Sequence, residues 1–326
     1  MINASAAKTK GYFLDWLNAR LANRYRLFPR GWGSPWILER AGTWFDHVCP
    51  IEISWDEPVE VPGGEHRRGR FLSPYADWGL PPEARQAQVE LLLPHGWTKR
   101  TPISVQFPST GDEFCHRSRQ AAQFMLGRGL GSLILEVAFY GTRRPAAQIE
   151  TYLQRVSDLW LLGMSAWEEG RSLLAWLQGH GFERLGVCGI SMGGQLASHV
   201  AALWEGPLAV ASSVAPHDAA VVYADSVLAQ MVDWRGLSRG RPDPRQTMRD
   251  VLGPTDMRRF PLPLRPDACV RLGARHDLYV PPPTVRILSG CWPGSVLHWT
   301  DGGHVQIVAW RGHLLGQLME EAFERL

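Results

Sequence analysis

Residues 185–198 read LGVCGISMGGQLAS, an apolar run that closes on Gly-Ile-Ser-Met-Gly and continues into small residues. Gly189 to Gly193 fit the G-x-S-x-G nucleophile elbow, a motif whose weight comes from its context of strand, sharp turn and helix. The spacing has a steric reason. A serine on such a turn sits in a strained backbone, and side chains two positions to either side would collide, so glycine stands at both. The helix that follows presents free N–H groups and its positive dipole end beside the serine. The rival reading is a glycine-rich turn of a nucleotide-binding fold. The serine at the strand end, and the lack of a G-x-G-x-x-G order, favour a nucleophile at Ser191.

A nucleophilic serine needs a base, and the base needs an orienting acid, which in this architecture follow in the chain order Ser, acid, His. RLGARHDLYVP supplies Asp277 after an apolar strand, and WTDGGHVQIVAW supplies His304 in a Gly-rich loop before the terminal helix. Asp218 in SSVAPHD is the alternative triad acid, and Asp277 has the competing role of capping a helix near the PPP run. His217, His276, His298 and His313 are the other histidines considered, with His298 expected in a strand and His313 on the last helix. An oxyanion hole needs two inward backbone amides. Met192 would give one, and Thr110 in FPSTGDEF the other, with Gly111 freeing the turn and Asp112 capping the next helix.

Outward from the elbow, strands and helices alternate. TPISVQF, GSLILEVAFYG, RLGVCGI, PLAVASSV, ACVRLGAR and SVLHWT read as strands, most of them apolar enough to be buried on both faces. Residues 113–127, 146–179, 192–204 and those from about 305 read as helices. The expected fold is α/β, a mostly parallel central sheet flanked by helices. Residues 49–62 and the two segments after them read as early strands without helices between them, forming an antiparallel edge. The alternation lapses between 215 and 266, read as a lid beside the C-terminal ends of the strands. The expected domain division is thus an extension at 1–48 and one large domain at 49–326.

Composition narrows the function classes. A net charge of +2, with no basic run interleaved with aromatics, argues against a nucleic-acid partner. Five scattered cysteines without CxxC or Cys/His spacing indicate free thiols, no metal site and a reducing, cytoplasmic setting. No signal peptide and no membrane span are read from the sequence. Near the start, Tyr12, Phe13, Trp16 and Leu17 alternate with Arg20, Arg24 and Arg26 as a basic amphipathic helix. It either packs its apolar face on the domain or, through residues 10–30, rests on an anionic membrane surface.

Together these features resemble the α/β-hydrolase fold superfamily. LFPRGWG, GRFLSP, STGDEF, LILEVAFYGTRRPAAQ, RVSDLWLLG and GISMGGQLA are similar, more narrowly, to the group of α/β-hydrolase domain-containing protein 18. That resemblance implies the fold, a serine triad at Ser191, Asp277 and His304, and an acyl-lipid substrate. Glu113, Phe114, Cys115 and His116 depart from the group's pattern after Thr-Gly-Asp. The expected reaction is acyl transfer from an ester to water, with no metal or organic cofactor. A lipid or phospholipid acyl hydrolase, a peptidase on the same triad and a binding protein without turnover are the rivals. Trp160, Trp167, Trp204 and Trp234 are read as core residues first and acyl-pocket residues second.

Overall fold

A computed structural model describes residues 4–22 and 25–326, with side chains described from Gly11 onward except Ala22. Arg24 of the basic helix therefore lies outside the described residues. The strands are β1 (Ser54–Trp55), β2 (Val59–Val61), β3 (Gly64–Leu72), β4 (Gln86–Pro94), β5 (Ile103–Phe107), β6 (Gly131–Glu136), β7 (Leu185–Ile190), β8 (Ala209–Ser213), β9 (Cys269–Ala274) and β10 (Val296–Thr300). They form one sheet in the order β1-β3-β4-β6-β5-β7-β8-β9-β10, with β2 on β3. The β3, β4 and β6 pairings are antiparallel, and every pairing from β6 to β10 is parallel. Residues of β5 to β9 are buried throughout, which is why their sequences read as unbroken apolar runs.

The helices are α1 (Ala4–Ala22), α2 (Pro35–Glu39), α3 (His116–Leu126), α4 (Val156–Gly179), α5 (Met192–Ala202), α6 (Trp234–Leu237), α7 (Pro244–Leu252), α8 (Pro282–Gly290), α9 (His304–Trp310) and α10 (His313–Arg325). Successive side chains of β7 point to opposite faces and divide the core. Val187 joins Trp160 and Trp167 of α4 and Val200 of α5 in one apolar layer. Cys188 joins Met125 of α3 with Met319 and Phe323 of α10 in the other. All five cysteines are free.

The structure departs from the sequence reading in four places. Residues 49–62 hold two short strands rather than one, because Pro58 cannot donate to a ladder. The helix expected over 146–179 begins at Val156; Glu150 has φ +44°, and the Asp158 carboxylate accepts the Arg155 amide at 3.0 Å. The helix after Thr-Gly-Asp begins at His116, since Phe114 and Cys115 both have φ +54°. The face of α1 that packs inward is not the aromatic one. Gly11, Asp15 and Ala19 are buried, whereas Tyr12, Phe13 and Trp16 are exposed.

The segment from 215 to 266 joins β8 to β9 and carries α6 and α7. The chain after α1 pairs with it: the Leu27 amide donates to the Met231 carbonyl, and the Asp233 amide to the Leu27 carbonyl. Phe28 is fully buried, so the early residues share the main core. On the inner side of α4, Glu169 is fully buried with Arg143, and the two are doubly bonded, at 2.6 and 2.8 Å. The guanidinium also donates to the carbonyls of Ala84 and Glu136, and Ser73 donates to Glu169.

Candidate active site

The elbow is built as the glycine spacing requires. A Cβ on Gly189 would overlap the backbone of Gly193, and one on Gly193 would overlap the Phe107 carbonyl at the end of β5. Ser191 lies between them at φ +58°, ψ −121°, a conformation costly for any residue with a side chain. It is held there by the neighbouring strand, whose Ser213 carbonyl accepts the Ser191 amide at 2.8 Å.

Three side chains from distant parts of the chain meet at this turn. The His304 Nε2 atom is 2.9 Å from Ser191 Oγ, and its Nδ1 atom is 2.7 Å from Asp277 Oδ2. The other carboxylate oxygen of Asp277 accepts the amides of Tyr279 and Val280 at 2.8 and 2.7 Å, so the acid is fixed by its own loop. With a carboxylate on Nδ1, that nitrogen carries the proton and Nε2 is left to accept from the hydroxyl. Burial by itself depresses the His304 pKa. The charge and hydrogen bond of Asp277, with the charge of Asp15, outweigh burial and hold it above the ordinary 6.5, with Arg117 opposing them. A base of this kind can take a serine proton near neutral pH.

The other candidates have different surroundings. Asp218 accepts the Ala220 amide and the Thr255 hydroxyl at 2.7 and 3.0 Å, and His304 faces Asp277 instead. His217 bonds to Thr284, and His298 on β10 pairs with Glu321. His313 begins α10 with its ring against Phe124, and the His276 ring lies against Tyr12. Ser109 to Asp112 form a tight turn with Gly111 at φ +76°, closed by a 3.0 Å bond from the Asp112 amide to the Ser109 carbonyl. Asp112 accepts the amides of Arg117 and Ser118 in the first turn of α3. Thr110 and Met192 both line the space at Ser191. The Gly111 backbone lies against the buried Tyr140 phenol, whose pKa burial raises. Ligand atoms of His217, Asp218 and Asp256 lie within 4.8 Å of one another. Each already has a protein partner, Asp256 being paired with Arg258.

Two spaces open from the serine. A narrow apolar cavity of about 60 Å³ runs beneath it, walled by Trp160, Trp167, Leu196, Tyr223 and Leu252. A wider cleft of about 360 Å³ lies above, bordered by Arg117, Tyr152, Tyr279 and Val305. Trp160 and Trp167 thus belong both to the core and to the cavity wall, whereas Trp204 and Trp234 pack half-buried against the core without lining the cavity. His199 at the cavity floor is pushed down to about 4 by burial, so it is neutral there.

A residue at the site that the sequence reading missed is Asp15 of α1. Its carboxylate accepts the amides of Leu278, His304 and Val305, each at 2.9 Å. The signal available was a single acid between Gly11 and Ala19, four residues from each on an otherwise aromatic and basic helix.

A parallel sheet with a strained serine at a strand-to-helix elbow defines the class of the α/β hydrolases. Comparison with known proteins agrees. The family model "Alpha/beta hydrolase domain containing 18" matches residues 25–246 and 241–325, and the chain belongs to that family. Among solved structures, the chain is similar to an acetyl xylan esterase from Paenibacillus sp. R4, at TM-score 0.58 and 14% identity over 90% of this chain and 89% of that one. Acetyl xylan esterase 1 from Thermoanaerobacterium sp. JW/SL YS485 gives TM-score 0.58 and 17% identity over 93% and 98%. A cold-adapted esterase from an Arctic intertidal metagenomic library gives 0.55 and 14% over 84% and 99%. At these identities the likeness is one of fold.

Proposed function

We propose that the chain is a serine hydrolase that cleaves a carboxylic ester through an acyl-enzyme. The observation that carries this reading is the continuous relay from Ser191 through His304 to Asp277, at 2.9 and 2.7 Å. His304 takes the hydroxyl proton as Ser191 attacks the carbonyl, and Asp277 stabilises the imidazolium that forms. The amides of Met192 and Thr110 hold the oxyanion, Met192 from the start of α5 where the helix dipole adds positive potential. His304 then returns the proton to the leaving alcohol, and water repeats the sequence on the acyl-enzyme. The narrow apolar cavity takes the acyl group and the wider cleft the alcohol. The 215–266 segment acts as a cap, since its Tyr223 and Leu252 wall the cavity.

A second reading is that the enzyme meets its ester at a lipid surface. A specific observation favours it: α1 turns Tyr12, Phe13, Trp16 and Leu21 outward, with Arg20 over the Trp16 ring. Among the described residues no helix is long and apolar enough to cross a membrane. Hydrolysis of acyl esters of graded chain length, with and without anionic vesicles, tests both readings. Turnover that is absent in Ser191→Ala supports the ester reading, and no turnover on any ester rejects it. Stimulation by vesicles supports the surface reading, and equal rates in both reject it.

A further inference from the structure

We propose that Asp15 is a positioning residue of the triad, delivered by α1 to tie the acid loop to the base loop. The inference rests on the serine-hydrolase reading. Asp15 is fully buried, and Oδ2 accepts the amide of Leu278, next to Asp277, and that of His304 itself. Oδ1 accepts the Val305 amide. Burial raises the Asp15 pKa, as does the neighbouring charge of Asp277, and the three amides oppose them by favouring the carboxylate. It caps α9 from another element, because Gly303 before that helix has no side chain to do so. The helix contributes a second hold three residues on. The Tyr279 hydroxyl donates to Asn18 Oδ1 at 2.7 Å, and the Tyr279 ring stacks on His304 with centroids 5.2 Å apart.

The seat is close. A Cβ on Gly303 would overlap the Gly11 carbonyl and come within 2.9 Å of the Asp15 carboxylate. The small inner face of α1 is therefore what lets its backbone reach the two loops. Without Asp15, three amides beside the base and the acid lose their acceptor, and the Asp277–His304 distance is set by the loops alone. A misplacement of about 1 Å in such a relay costs on the order of 10²-fold in rate.

Charge gives a readout separate from packing. His304 is faced by Asp277 from the acid loop, Asp15 from α1, Arg117 from α3 and the Tyr279 ring. Removing the Asp15 charge removes one of the influences that favour the imidazolium, so the His304 titration moves to lower pH. The experiment compares wild type, Asp15→Asn and Asp15→Glu by thermal melting, steady-state kinetics and NMR titration of the His304 imidazole. In Asp15→Asn, kcat is expected to fall by on the order of 10²-fold with a smaller change in KM. Its His304 midpoint falls, whereas Asp15→Glu keeps the midpoint near wild type. Unchanged kcat and midpoint in folded Asp15→Asn overturn the proposal, as does a loss of activity that only tracks unfolding. Should Asp15→Asn not fold, Asn18→Ala tests the same brace: lowered kcat supports it, and unchanged kcat overturns it. A wild type that turns over no ester rejects the hydrolase reading, and the NMR titration still decides the role of Asp15.

Discussion

Two buried carboxylate centres in this molecule handle charge in opposite ways. Under α4, Glu169 is doubly bonded to Arg143, and both are sealed from solvent. At the site, Asp277 and Asp15 are equally buried, yet their partners are backbone amides and one imidazole. A guanidinium keeps its proton at any working pH, so the first centre can only hold elements together. An imidazole can gain a proton near neutrality, so in the proposed mechanism the second centre stabilises the imidazolium that forms as the serine attacks. The same side-chain chemistry becomes scaffold or machinery according to whether the partner can titrate.

The comparison can be broken most sharply at the site. Ser191→Ala or His304→Ala is expected to lower kcat by on the order of 10⁴- to 10⁶-fold without changing the melting temperature much. Asp277→Asn is expected to cost about 10⁴-fold, measured in the same assay, because the imidazole loses its oriented tautomer. At the scaffold centre the outcome should invert. Arg143→Met leaves the buried Glu169 without its cation and with Ser73 as its remaining donor, costing about 3–5 kcal/mol by denaturant titration, while the folded fraction keeps its kcat. A folded Arg143→Met protein with collapsed kcat would show that the two centres are coupled.

Smaller effects sharpen the same contrast. The His304 pKa is raised, and the base acts only when neutral, so kcat/KM should fall on the acid side with a midpoint above 6.5. In Asp277→Asn that midpoint should drop, since the charge favouring the imidazolium has gone. A midpoint below 6.5 in the wild type would contradict this assignment. Asp218→Asn, whose carboxylate bonds to Ala220 and Thr255 and not to His304, should change kcat by no more than about twofold.

The parts of the fold that could be read from sequence are those with local causes. Buried parallel strands carry uninterrupted apolar runs, and the elbow needs Gly189 and Gly193 because the backbone closes on itself there. Ser191, Asp277 and His304 follow the order in which strand ends present their loops. Asp15 could not be found in that way, because it reaches the site from the far end of the chain and its partners are backbone amides, which leave no mark in sequence. The inward face of α1 is hidden from sequence for a related reason. Apolar periodicity pointed to Tyr12, Phe13 and Trp16, but close backbone approach to Gly303 selects the small face of Gly11, Asp15 and Ala19.

The most direct test of an activated serine is to treat the folded protein with a fluorophosphonate and locate the adduct by mass spectrometry. The account predicts a single adduct on Ser191 that is lost in His304→Ala while that variant stays folded. A wild-type protein that remains unlabelled with and without anionic vesicles, or an adduct at another residue, would contradict it.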